Sequence, residues 1–98
     1  MVQGRVRPTF WIMYYAYILK SKRDGTFYIG YTNNLKRRFL EHNSGLVTST
    51  KTHLPFDLVY YEGHRNRKDA IKREAFLKTG WGRNYIKRVL SNYLLENK

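Results

Sequence analysis

Residues 14–42 read YYAYILKSKRDGTFYIGYTNNLKRRFLEH, and this stretch decides the fold. Its first half is rich in β-branched and aromatic residues, which favour strands. Asp24-Gly25 divides this half and is a strong turn signal. We therefore predict an antiparallel hairpin with strands near residues 12–20 and 26–31.

The rest of the chain adds one strand and three helices. The third strand is predicted near residues 56–62, where apolar and aromatic residues cluster. Helices are predicted at about 34–41 and 67–79, and a third follows a break at 80–82 and carries an apolar stripe over 86–94. The order β-β-α-β-α-α predicts an α+β fold, in which a three-stranded antiparallel sheet is flanked by three helices.

The charge of the chain predicts a polyanionic partner. Its 98 residues include 19 Lys and Arg against 7 Asp and Glu, which gives a formal net charge of +12. Such an excess attracts nucleic acid, because phosphate contacts release counterions. An anionic membrane surface and simple solubility are the alternatives. We favour nucleic acid as the partner.

Length and composition also bound the domain organisation. Ninety-eight residues are enough for one hydrophobic core and too few for two. We predict a flexible basic arm over residues 1–10 and a single domain over residues 11–98. The chain has no cysteine, its longest apolar run is too short to span a bilayer, and its start lacks the pattern of a signal peptide. These features predict a cytoplasmic protein without a membrane partner.

Tyrosines on the predicted hairpin are the first candidates for chemistry. Side chains alternate along a strand, so Tyr17 points to the face opposite Ala16 and Ile18. If the hairpin pairs with Tyr17 and Tyr28 on one face, their hydroxyls lie together beside Gly30, where a ligand backbone can approach closely. The alternative is that both are core aromatics with their hydroxyls at the rim of the sheet.

The first predicted helix carries a basic run, Lys36, Arg37 and Arg38. Arg38 is three residues after Leu35, at the border of the apolar stripe, so it can lean towards the sheet. A guanidinium there offers a planar fork for a phosphate. A charge run on a helix is otherwise only a solvated face. We predict that the basic run and His42 bind nucleic acid, with a plain surface role as the alternative for His42.

Glu74 is the carboxylate best placed for a metal ion. It alone lies in the middle of a predicted helix, on the same side as the apolar residues Ala70 and Leu77. A carboxylate at the core-facing edge of a helix needs a cation or a donor. Mg²⁺ beside a phosphate is typically held by one or two carboxylates and several waters. An ion pair with Lys78, four residues further on, is the alternative.

Arranged in this order, the chain resembles the GIY-YIG nuclease superfamily. It is most similar to the small single-domain bacterial members, which are related to the N-terminal nuclease module of excinuclease C. The resemblance covers about residues 12–92 and rests on four matched places: Tyr15-Ala16-Tyr17, Tyr28-Ile29-Gly30, Arg38 and Glu74. The first motif keeps its third tyrosine, Tyr17, but not the glycine or the isoleucine.

The resemblance implies a metal-dependent endonuclease that hydrolyses phosphodiester bonds of DNA, with a place in repair or recombination. By this resemblance Glu74 holds one Mg²⁺ or Mn²⁺ ion, and Tyr17 takes the proton of the attacking water. Tyr28 positions the water or the phosphate, and Arg38 offsets charge on the phosphoryl oxygens. A free tyrosine ionises near pKa ~10, so Tyr17 needs positive charge beside it for this role.

Two other functions remain open at the level of the sequence. One is a nucleic-acid-binding module that keeps the fold and the basic surface but has little or no turnover. The other is an adaptor that works through a protein partner. For the nuclease and the binding module, DNA is favoured over RNA as the ligand.

Overall fold

Seven elements make up the described part of the chain. The computed structural model describes residues 12–97, so the predicted basic arm over residues 1–10 lies outside it. In chain order the elements are β1 (Tyr14–Ser21), β2 (Phe27–Thr32), α1 (Leu35–Asn43), β3 (Phe56–His64), α2 (Arg67–Leu77), α3 (Gly80–Val89) and α4 (Ser91–Glu96). The predicted α+β fold with a three-stranded antiparallel sheet is confirmed, with four helices in place of three. None of the helices in residues 12–97 is long and apolar enough to cross a membrane.

β1 is the central strand of the sheet. The strand order is β2-β1-β3, and both pairs are antiparallel. In the pair with β2, Tyr17 lies opposite Gly30 and Leu19 lies opposite Tyr28. Directly opposed residues point to the same side of a sheet. Tyr17 and Tyr28 therefore share one face.

Helices cover both faces of the sheet. On the face that carries Tyr17, α1 packs Leu35 and Phe39 against the side chains of β1. On the opposite face, α2 and α3 contribute to a core whose buried members are Ala16, Ile18, Leu77, Ile86 and Leu90. The alternation of side chains along β1 therefore serves two cores, one on each side of the sheet. β2 is an edge strand, and α2 packs beside it.

The C-terminal region differs from the sequence-based prediction in its helix boundaries. The apolar stripe over residues 86–94 is divided at Leu90 into α3 and α4. The predicted break at 80–82 is instead the first turn of α3, because the Thr79 hydroxyl caps it by accepting from the Gly82 N–H at 3.1 Å. A side chain at Gly82 would collide with the backbone of Leu77. This glycine therefore lets α3 approach the end of α2 closely.

Candidate active site

The side chain of Tyr17 crosses over Gly30 at the edge of the sheet. A Cβ atom at Gly30 would collide with the Tyr17 hydroxyl and ring, so only glycine leaves room for this crossing. Tyr17 is 1% exposed, and its ring is tilted against that of Tyr28, with 6.4 Å between the ring centroids. The hydroxyl of Tyr17 is thereby brought to the β2 edge while its ring stays in the core.

His42 is the inner partner of the Tyr17 hydroxyl. Its Nε2 lies 2.9 Å from Tyr17 Oη, and its Nδ1 lies 2.8 Å from Thr50 Oγ1. Thr50 Oγ1 itself donates to the Val47 carbonyl at 3.4 Å, so it accepts from His42 Nδ1–H. This network assigns the proton of the neutral imidazole to Nδ1, and Tyr17 donates its hydroxyl proton to Nε2.

The burial of His42 corrects the sequence-based prediction for this residue. His42 is 0% exposed, so it cannot contact a nucleic-acid backbone directly, and it is not a surface residue of α1. The reason is its position on the helix, since it lies three residues after Phe39 and seven after Leu35, on the same apolar stripe. That spacing is the feature of the sequence from which the burial of His42 could have been predicted. Thr50 was not among the candidates. It lies in a loop that packs back on α1, and no periodic pattern in the sequence indicates this packing.

Burial controls the protonation of this pair. It raises the pKa of Tyr17 to about 12, although the nearby Arg38 opposes the rise. Burial also lowers the pKa of His42 to about 4, and the nearby Arg38 charge adds to that effect. Tyr17 and His42 are therefore both neutral near pH 7. Positive charge was expected to prepare Tyr17 for proton abstraction, but in this arrangement desolvation outweighs it.

Arg38 is held in place by Glu41 and lies near Tyr17. Its Nη1 donates to Glu41 Oε1 at 3.0 Å, and the guanidinium also lies near enough to the Tyr17 hydroxyl to affect the pKa of that group. The Arg38 side chain is 34% exposed, so it faces the core on one side and solvent on the other. Arg37 is more exposed, and its Nε lies 3.6 Å from Glu41 Oε2. Lys36 is exposed as well. The basic run therefore splits, with Arg38 directed to the site and its neighbours to solvent.

Glu74 lies on α2, which packs on the other face of the sheet. Its carboxylate is close enough to Tyr17 to contribute to the raised pKa of that tyrosine. Glu74 Oε2 also lies 3.1 Å from Lys78 Nζ, and the Glu74 side chain is 23% exposed. The ion pair that was the alternative from sequence is therefore present, and it lies beside the site. Tyr17 lies against Gly30 with Tyr28 and Arg38 beside it, and Glu74 lies within electrostatic range of Tyr17.

A cluster of three arginines adjoins this site and includes one residue that the sequence analysis missed. The three arginines line a cavity of about 340 Å³, which we call the arginine pocket. Its lining residues are Tyr31, Thr32, Asn33, Arg37, Arg38 and Arg67. The Arg67 guanidinium lies 5.9 Å from the centroid of the Tyr31 ring. Arg67 begins α2, and its approach to β2 depends on how that helix crosses the sheet. No local pattern in the sequence reports that crossing.

Comparison with known proteins places the chain in a family. The profile of the GIY-YIG catalytic domain family matches residues 13–86. The chain belongs to the GIY-YIG family. This domain implies nuclease-like activity and suggests binding of nucleic acid, and GIY-YIG nucleases generally use a divalent metal.

UPF0213 proteins are among the similar relatives of this GIY-YIG domain. One from Streptococcus pneumoniae is 43% identical over 65 residues, which cover 65% of this chain and 65% of that protein. Thus the match spans just under two thirds of the pneumococcal relative. One from Clostridium perfringens is 43% identical over 67 residues, covering 67% of this chain and 71% of the relative. The solution NMR structure of the UPF0213 protein BH0048 from Bacillus halodurans superposes with a TM-score of 0.50 at 30% identity, covering 79% of this chain and 84% of that one.

The site offers few protein ligands to a metal ion. Residues 12–97 contain no group of three or more His, Cys, Asp or Glu side chains that could form a metal cage. Glu74 stands as a single carboxylate, and its present cationic partner is Lys78. Such a donor set fits Mg²⁺ or Mn²⁺, which accept most of their ligands from water and from the phosphate of a substrate. It does not fit a closed structural site.

Proposed function

We propose that this GIY-YIG domain is an endonuclease that hydrolyses phosphodiester bonds of DNA with one Mg²⁺ or Mn²⁺ ion held at Glu74. The observation that carries the proposal is the Tyr17 hydroxyl, which bonds to His42 and feels the charges of Arg38 and Glu74. A buried hydroxyl with a partner for its own proton and an adjacent guanidinium is an arrangement that suits proton transfer beside a phosphate.

The proton transfer follows from the hydrogen bonds. Tyr17 donates to His42 Nε2 at 2.9 Å, so the lone pairs of its oxygen remain available to accept a proton. A water beside Tyr17 gives a proton to the Tyr17 oxygen as it attacks phosphorus, while the phenol proton passes to His42 Nε2. The charge that develops on the imidazole is stabilised through Nδ1–H, which Thr50 accepts.

This transfer does not occur spontaneously in the resting pair. Burial raises the pKa of Tyr17 to about 12 and lowers that of His42 to about 4, so the neutral pair is strongly favoured over the ion pair. A divalent ion held at Glu74 would polarise the phosphate and favour loss of the proton from the attacking water. Its charge would oppose protonation of His42, and the negative charge of the bound phosphate would offset that effect. Arg38 offsets charge on the phosphoryl oxygens. Tyr28 lines the approach and orients the water or the phosphate.

The phosphate backbone on either side of the scissile bond is held mainly by arginine. Arg37, Arg38 and Arg67 surround one cavity beside the site, and Lys36 lies exposed on the same helix. Guanidinium groups suit phosphates because their donors match the spacing of two phosphate oxygens. These contacts position a strand without reading its sequence. We therefore expect low sequence specificity, and a role in repair or recombination that depends on DNA structure.

A binding module with little turnover is the second candidate. The Glu74–Lys78 ion pair favours it, because Lys78 occupies the carboxylate that a metal ion needs. The raised pKa of Tyr17 favours it as well. Both observations are compatible with tight binding of DNA and slow or absent hydrolysis.

A cleavage assay separates the two candidates. Supercoiled plasmid, branched DNA and an RNA of matching sequence are incubated with the protein in Mg²⁺, in Mn²⁺ or in EDTA. Wild type should cleave DNA only with a divalent ion, and Tyr17→Phe and Glu74→Gln should each lose at least about 10²-fold in rate. Glu96→Gln, which removes an exposed carboxylate from α4, is the matched control and should cleave normally. DNA binding by all four proteins without cleavage by any would establish the binding module instead.

A further inference from the structure

A second cavity lies on the other side of Gly30 from the arginine pocket. Its volume is about 480 Å³, within the range of about 300–1,000 Å³ that is usual for small-molecule sites. Phe27 and Ile29 of β2 and Ile86 of α3 form its apolar wall, and Tyr28 borders it. We call this space the flanking cavity.

Three cations surround the flanking cavity. Lys78 follows α2, and Arg83 and Lys87 lie one turn apart on α3. Lys78 is paired with Glu74 at 3.1 Å, whereas Arg83 and Lys87 have no carboxylate partner among residues 12–97. The cavity therefore combines an apolar wall with unneutralised positive charge. A ligand that matches both features has a flat apolar part and a phosphate.

The order of residues along β2 relates the two cavities to the candidate site. Residues 27–29 line the flanking cavity, residues 31–33 line the arginine pocket, and Gly30 lies between them along the strand. The Tyr17 hydroxyl meets Gly30 on the face that carries α1, whereas Phe27 and Ile29 face α2 and α3. At about 3.3 Å per residue, the six residues of β2 extend over roughly 20 Å. Consider a nucleic-acid strand that lies along this edge with its scissile phosphate at Gly30. The nucleotide on one side of that phosphate lies at the arginine pocket, and the nucleotide on the other side lies at the flanking cavity.

The two flanks differ in chemistry. The arginine pocket offers three guanidinium groups and polar side chains, which suit backbone phosphates. The flanking cavity offers an apolar wall, which suits the face of a base, together with cations for the phosphate attached to it. A base that is stacked and paired inside a duplex cannot enter such a cavity. Only an unpaired base, or one that leaves the stack, can do so.

We propose that the flanking cavity binds an unpaired nucleotide next to the scissile phosphate. Its base lies against Phe27 and Ile29, and its phosphate is held by Arg83 and Lys87. The substrate class is therefore DNA that is single-stranded or unpaired on one side of the cleavage position, as at a junction, a flap or a gap. This proposal rests on the proposed nuclease function for its description of the scissile phosphate, but binding at the cavity can be measured without cleavage.

The test is a binding titration by fluorescence anisotropy in EDTA, so that no hydrolysis occurs. The probes are a single-stranded oligodeoxynucleotide, the matching duplex, and the single strand with one abasic nucleotide moved stepwise along it. The variant Arg83→Gln/Lys87→Gln is compared with Lys51→Gln/Lys72→Gln, which removes the same charge at two exposed positions outside both cavities. Thermal melts of both variants verify that the fold is kept.

The expected pattern is specific to the unpaired probe. The Arg83→Gln/Lys87→Gln variant should lose about 10-fold in affinity for the single strand, and no more than about 3-fold for the duplex. The control variant should lose no more than about 3-fold for either probe. At one position, the abasic nucleotide should weaken wild type by about 5-fold or more and leave the Arg83→Gln/Lys87→Gln variant unchanged.

The outcomes distinguish this proposal from the nuclease function. Wild type that never cleaves but shows this pattern refutes the nuclease and supports the cavity. Wild type that cleaves continuous duplex as fast as gapped DNA, with no abasic effect at any position, keeps the nuclease and overturns the cavity. If both double variants lose the same affinity for both probes, the proposal is also overturned, because such losses reflect only the total positive charge of the protein.

Discussion

Lowering the pH should destabilise this protein through His42. The pKa of His42 is lowered from 6.5 to about 4, chiefly by burial. Between these values the unfolded chain binds a proton that the folded chain does not, so stability falls as the pH drops from about 6.5 to about 4 and levels off below. At about 1.36 kcal/mol per pKa unit, the loss is roughly 3 kcal/mol. A domain of this size has about 5–15 kcal/mol in total.

Chemical denaturation at a series of pH values measures this loss. Wild type should lose stability with a slope approaching about 1.4 kcal/mol per pH unit near pH 5, beyond the background of the other titrating groups. His42→Gln keeps a polar side chain but cannot take up the proton, and it supplies that background. It should be less stable than wild type at pH 7.5, by about 1–3 kcal/mol, because Tyr17 or Thr50 loses its partner.

NMR of the imidazole provides an independent check on His42. The Hε1 resonance should titrate near pH 4 in the folded protein, well apart from a free histidine. Equal pH slopes for wild type and His42→Gln, or an imidazole that titrates near 6.5, would refute the reasoning. The Tyr17–His42 hydrogen bond would then not be the buried neutral pair on which the proposed proton transfer depends.

Three further predictions follow from the geometry at the β2 edge. Gly30→Ala should cost about 1–3 kcal/mol in thermal or chemical denaturation, because the new methyl group meets the Tyr17 ring, whereas Gly80→Ala, with open space around it, should not destabilise. Glu74→Gln should change stability by less than about 0.5 kcal/mol in the same assay, since its pair with Lys78 is partly exposed, and a larger loss would make Glu74 structural. Binding to duplex DNA should weaken with salt at a log–log slope of roughly −4 to −5, and Arg37→Gln/Arg67→Gln should make that slope about 2 shallower in anisotropy titrations, whereas an unchanged slope would place the phosphates elsewhere.

Local patterns were sufficient to predict the strands of the sheet, whereas the shared face of Tyr17 and Tyr28 depended on a register that only the structure supplied. Alternation along a strand fixes which side chains share a face once the pairing register is known, and Asp24-Gly25 set the position of the hairpin turn. The offset of Glu74 from Ala70 and Leu77 likewise predicted its core-facing edge, where it is 23% exposed. These quantities depend only on residues close in sequence.

Features that depend on distant residues were missed. Thr50 completes the hydrogen bonds of His42 across eight residues of chain, and its position is fixed by a loop that packs back on α1. Arg67 reaches β2 because of the path of α2 over the sheet. The two C-terminal helices separate at Leu90, although the apolar stripe continues through it. Tertiary packing decides all three, and periodicity does not report it.

The net charge of the chain does not predict the pKa of Tyr17. The role implied for Tyr17 needs positive charge beside the phenol, yet in a chain of formal charge +12 its pKa is raised to about 12. Most of the cations lie in solvent, where water screens them, whereas desolvation acts on the buried hydroxyl directly. Arg38 is the cation that lowers the pKa of the Tyr17 hydroxyl, and it does not reverse the effect of burial.

It follows that burial of Tyr17 acts in two directions in the proposed reaction. The crossing over Gly30 and the bond to His42 fix the oxygen in one place, which favours a transfer that needs alignment. The same burial keeps the phenol and the imidazole neutral in the absence of the substrate phosphate and its ion. If this is correct, Tyr17 stays a neutral hydrogen-bond donor in the free protein. Ultraviolet difference spectra of the free protein should then show no tyrosinate from this residue below pH 10, and a tyrosine that ionises near neutrality would contradict the neutral pair.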